Sequence, residues 1–136
     1  MSRATPQMRE FAERLVAYEA RRRKSSASTT VAFHVCEKLR PHLAALTGKA
    51  GFSALLSRAL ALAVEEAPAL RAVRVQADGT LAVDGEAGVP DEGGVILLAR
   101  LLGLLETFIG ESLTLRKLRE VWPRLSFSNL YFGKEN

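Results

Sequence analysis

The sequence predicts a mainly α protein: four to five helices in a bundle, with one β-hairpin at about residues 71–84. Three observations carry this. Alanine and leucine are abundant and aromatic residues make up only 7% of the chain, a balance that favours helices. Apolar residues recur at three- and four-residue spacings along most of the length. That period gives way to two only around Asp78-Gly79, the residue pair that hairpin turns favour. At 136 residues the chain suits one core.

The first helix is expected to start at Thr5-Pro6, a capping residue followed by proline at the first helical position, and to run to about Arg23. Met8, Phe11, Leu15 and Tyr18 form a narrow stripe suited to a two-helix seam. Residues 21–30, RRRKSSASTT, turn basic and then small and hydroxylated, the composition of a connector. The expected organisation is therefore an N-terminal helical arm (1–24), a flexible linker (25–30), a helical domain with the hairpin (31–125) and a C-terminal tail (126–136).

Thr29 or Thr30 can cap the second helix. It aligns Ala32, Val35, Leu39, Leu43 and Leu46 on one face, contains Pro41, which should kink it, and ends near Gly48. Gly51-Phe52-Ser53 opens the third, with Leu55, Leu56, Ala59, Leu60, Ala63 and Val64 inward and Pro68 as its stop. In the hairpin, Val73 and Val75 alternate with Arg74 and Gln76, as Leu81 and Val83 do with Ala82 and Asp84. Two strands alone are marginal, so they must lie on helices or on another sheet edge.

Residues 85–94 read as a loop in which Asp91 caps the fourth helix, VILLARLLGLLETFIG at 95–110. This helix is apolar on nearly every side and carries only Arg100 and Glu106 as charges. Its apolar run spans roughly 22 Å, short of a hydrocarbon core of about 30 Å, which makes it the central helix of a bundle rather than a membrane span. Gly110 stops or bends it. Ser112 or Thr114 begins the fifth helix, with Leu115, Leu118, Val121 and Trp122 inward and Pro123 at its end.

Net charge is +4, unevenly spread. Residues 1–24 hold seven Arg/Lys against three Glu, whereas 69–94 hold two Arg against five acids. Arg21, Arg22, Arg23 and Lys24 are candidate anion contacts, and a small nucleic-acid-binding regulator is the alternative function they raise. Yet no aromatic residue is interleaved for base stacking and no helix-turn-helix pattern is present. The single cysteine, Cys36, has no partner for a disulfide and fits a reducing, cytoplasmic setting. The first residues lack the apolar core of a secretory signal.

No metal, cofactor or catalytic site is expected. His34 and His42 lie about 12 Å apart along one helix and Cys36 points away from His34. Glu65 and Glu66 diverge by about 100° and read as a solvated helix end. No phosphate-loop, dinucleotide or nucleophile-elbow motif occurs. Residues 36–48, CEKLRPHLAALTG, followed by an Ala/Leu-rich helix, resemble the phosphoacceptor hairpin of sensor histidine kinases, whose motif is His-Glu-Leu-Arg-Thr-Pro-Leu. Cys36 stands where the phosphorylated histidine belongs, Lys38 is inserted and His42 follows the proline, so the resemblance implies a dimerising helix hairpin and no kinase activity.

The expectation is thus a non-catalytic helical interaction or regulatory module that self-associates as a homodimer or docks on a protein partner. Its interface should bury more than roughly 1,000 Å², centred on Leu98, Leu101, Leu102, Leu105, Phe108 and Ile109, with Met8, Phe11, Leu15 and Tyr18 packing in cis or in trans. A ligand-binding or enzymatic domain with a pocket between the second and fourth helices is a further alternative.

Overall fold

In the computed structural model the chain is described over residues 6–23, 28–83 and 91–124, with the side chains of 22, 23, 28–30 and 91 left aside. Lys24, the first half of the expected linker, the loop before residue 91 and the chain from 125 onward lie outside the described residues, as does the cap expected from Thr5; Thr29 and Thr30, expected as caps, lie instead within the first turn of α2, and Asp91 is the first helical residue of α4. Helices α1 (Pro6–Arg23), α2 (Ser28–Thr47) and α3 (Lys49–Glu66) lead through a 3₁₀ turn (Pro68–Ala72) into strands β1 (Val73–Val75) and β2 (Leu81–Val83). Helices α4 (Asp91–Ile109) and α5 (Glu111–Val121) complete the order. This is the mainly α fold with one hairpin that the sequence predicts.

Helix α4 is the centre. Every residue from Gly93 to Leu102 is buried, and α1, α2, α3 and α5 all pack against it. Burying each leucine contributes about 1.5–3 kcal/mol, so an all-round apolar helix gains most when covered on every side. Among the described residues no helix is long and apolar enough to cross a membrane.

Helix α1 belongs to this core and is not a separate arm. Met8, Phe11, Ala12, Leu15 and Val16 are all buried, and the helix packs on α4 and α2. Ala12 and Val16 widen the narrow stripe into the i, i+3, i+4, i+7, i+8 face that core-facing helices show. Helix α2 begins at Ser28, inside the expected linker, and runs through Pro41 to Thr47 as one helix. Its Val35, Leu39 and Leu43 are buried as expected, but Leu46 is 43% exposed.

Glycine makes both tight helix joints. Gly48 and Gly110 have φ near +83° and +89°, a region that residues with a Cβ rarely enter. Each ends one helix by donating its N–H four residues back, to the Ala44 and Glu106 carbonyls, and begins the next by accepting from Phe52 or Thr114. Helix α3 therefore starts two residues earlier than Gly51, and α5 starts at Glu111.

The hairpin pairs Val73 with Val83 and Val75 with Leu81, antiparallel. Gly79 N–H donates to the Gln76 carbonyl and Gln76 N–H to the Thr80 carbonyl, so Ala77, Asp78 and Gly79 form a three-residue loop with Gly79 at the left-handed position. Asp78 accepts from the Thr80 amide at 3.0 Å and hydroxyl at 2.7 Å. The hairpin lies on α3, with Val73 buried. Ser53 Oγ donates to the Gln76 carbonyl at 3.2 Å.

Gly79 has φ +86°, and a Cβ there would stand 2.9 Å from the Phe52 ring and 3.1 Å from Arg40 Cδ. Gly79→Ala is therefore expected to cost about 2 kcal/mol or more, from the left-handed backbone and the clash together. Urea denaturation checks this, and an unchanged midpoint would contradict it.

Candidate docking groove and the Glu19 cluster

An open concavity lies where the end of α2, the first half of α3 and the end of α4 meet. Leu46 and Thr47 come from the last turn of α2; Gly51, Ala54, Leu55 and Arg58 come from α3; Phe108 comes from α4, and together they line about 520 Å³. The concavity has a local cause. Gly51 and Ala54 offer almost no side chain to fill the space between the helices, and a Cβ on Gly51 would come within 2.9 Å of Thr47 Cβ. The close approach of α2 and α3 thus needs glycine, and that same glycine leaves the hollow.

Apolar side chains stand open around it. Phe108 is 65% exposed and Leu46 43%; with Val83 they are the exposed large hydrophobic residues among those described. Single exposed leucines are ordinary, but two large apolar side chains at the mouth of an apolar hollow form a patch of the kind that docking surfaces use. Arg58, exposed on α3, is the charged member of the lining.

The residues expected at an interface separate sharply. Met8, Phe11, Leu15, Leu98, Leu101, Leu102 and Leu105 are buried within the chain, because α1 and α4 pack on each other in cis. Tyr18 is partly buried against that core, and Ile109 is half-buried. Phe108 alone of the ten projects to solvent. Of the basic candidates, Arg21 is exposed at the end of α1; Arg22 and Arg23 continue the helix, and Lys24 lies outside the described residues.

A second polar cluster was not foreseen. Glu19 of α1 is buried, and both its oxygens are used. Trp122 Nε1–H donates to Oε1 at 2.9 Å, while Lys38 Nζ lies 2.7 Å and His34 Nε2 3.5 Å from Oε2. One carboxylate therefore ties α1, α2 and the residue that ends α5. Burial pushes the Glu19 carboxyl up, but hydrogen bonds from Lys38 and Trp122, with the charges of Lys38 and His34, outweigh it and hold the group below its ordinary value of 4.5. A buried carboxylate is tolerated when paired and fully hydrogen-bonded.

Other titratable groups join the helices to one another. Arg100 of α4 donates Nε–H to Glu66 Oε2 at 2.8 Å, and its Nη2 lies 2.5 Å from the same oxygen. Glu66, read in the sequence as part of a solvated helix end, is thus the polar partner of the central helix. Its side chain is only 11% exposed. His42 Nδ1 lies 3.5 Å from Glu120, and Arg9 of α1 pairs with Glu92 of α4. Burial, with Glu37 nearby, pushes the Cys36 thiol up to about 12, so it stays protonated and is a poor nucleophile. Among the described residues no three His, Cys, Asp or Glu side chains converge as a metal site would need. Comparison with protein-family models, curated proteins and solved structures finds no match.

Because the Glu19 carboxyl is lowered on folding, its stabilising contribution is fully present above its unfolded value and is lost as pH falls through the folded one. Glu19→Gln should therefore cost about 1–3 kcal/mol near neutral pH and progressively less below about pH 4. Urea titrations across that range measure it. A wild-type to variant difference that does not shrink in acid would contradict the assignment.

Proposed function

We propose that the chain is a non-catalytic interaction module that self-associates through the α2–α3–α4 groove, the Phe108 of each copy entering the hollow of the other. The observation that carries this reading is the 65% exposure of Phe108 at the edge of a hollow that the same chain lines. A projecting ring beside an apolar cavity is self-complementary under a two-fold axis, since each copy offers both knob and hole. The sequence expectation of self-association through the helix 95–110 is thereby moved from the flank of that helix to its end. A single cysteine, Cys36, is in keeping with a reducing cytoplasm.

Phe108 takes no part in the buried core, so its replacement separates association from folding. Light scattering at micromolar concentration is expected to show a dimer for the wild type. Phe108→Ser should weaken it by about thirtyfold, the effect of losing roughly 2 kcal/mol at a buried aromatic anchor, with the thermal midpoint of the monomer unchanged. A wild type that is monomeric throughout the micromolar range would overturn the proposal.

A further inference from the structure

Residues 21–24 and 116–124 carry eight Arg/Lys and one Glu, a formal +7, against +4 for the whole chain, so all other residues together sum to −3. In sequence these two segments are about ninety residues apart, but the fold joins them. The hydrogen bond from Trp122 Nε1–H to Glu19, 2.9 Å long, fixes α1 two residues before Arg21 and the end of α5 two residues before Arg124. Two residues of chain span at most roughly 7 Å, so the backbones of Arg21 and Arg124 both lie close to this junction.

The acids Glu19 and Glu120 are already engaged. Glu19, the acid closest to the junction, is buried and paired with Lys38, and Glu120 is engaged by Lys117 and His42. Arg21, Arg116, Arg119 and Arg124 are exposed, and Arg22 and Arg23 extend α1 from the same place. Helix α5 turns Thr114, Leu118 and Trp122 inward, so Arg116 falls on the opposite face and Arg119 on its flank.

We infer that this corner, built from the end of α1 and the outer face of α5, binds the phosphate backbone of duplex nucleic acid without reading its sequence. Most of the cations are arginines, whose planar forks match phosphate oxygens two at a time. Among the described residues no aromatic side chain of α1 or α5 is exposed to stack on unpaired bases, which favours a duplex over single strands. The exposed large hydrophobic residues, Leu46, Val83 and Phe108, lie on other elements. Leu46 is about 12 Å further along α2 from Lys38. Among the described residues a lipid surface would find no exposed large apolar side chain on α1 or α5 to insert beside the arginines. This surface is separate from the docking groove, and neither requires the other.

Fluorescence anisotropy with a labelled duplex DNA tests it. About four phosphate contacts should reduce affinity roughly a hundredfold between about 50 and 200 mM salt. Two triple variants of equal net charge locate the site: Arg21→Glu/Arg116→Glu/Arg124→Glu, and Lys49→Glu/Arg71→Glu/Arg74→Glu on exposed positions elsewhere. With circular dichroism confirming that both fold, the first should lose more than about tenfold in affinity and the second less than about threefold. Equal losses in both would show that only overall charge matters and would overturn the assignment. So would absence of binding at low salt, or binding to phosphatidylserine vesicles without binding to DNA.

Discussion

A helix whose circumference is apolar for three turns has to be enclosed, and the enclosure of α4 organises everything else. From Gly93 to Leu102 no position faces solvent. Four helices are recruited to cover it, and each does so with the apolar stripe its own sequence provides. The hairpin and the 3₁₀ turn sit outside this arrangement, sealing α3 with Val73 and Leu70. The enclosure stops short of the end of α4, where Phe108 emerges, and the groove lies there.

Among the described residues, buried charge is confined to two junctions. Arg100 fixes α4 against Glu66 of α3, and Glu19 fixes α1 against Lys38 of α2 and Trp122 beyond α5. Removing one member of such a pair leaves the other without compensation in a low-dielectric setting, which costs more than the intact pair contributes. Apolar packing tolerates small slips between helices, whereas a carboxylate with defined donors does not. These pairs therefore fix register. The Glu19 contacts also hold the end of α1 beside the residue that follows α5.

What was legible in the sequence follows from the range of each cause. The hairpin shows itself through a change of period within a dozen residues and through Asp78-Gly79. The central place of α4 shows through apolar residues on every side, and the joints at Gly48 and Gly110 through glycine alone. The attachment of α1 was obscured because Ala12 adds little to an apolar stripe and yet is fully buried. Glu66 and Arg100 are 34 positions apart, and Glu19 and Trp122 are 103, so no local pattern announces either pair. The groove was hidden for a different reason: it arises from what Gly51 and Ala54 lack, and becomes a surface only when three helices meet.

Sealing of α4 by its own chain is the claim on which the placing of both surfaces rests. Native-state hydrogen exchange on a sample that light scattering shows to be monomeric tests it most directly. The account predicts that the amides of Ile96 to Leu102 exchange only through global unfolding, with protection equal to the full stability of the chain. Exchange of these amides through a smaller opening, at rates no slower than those of the hairpin, would show that a single copy does not enclose α4.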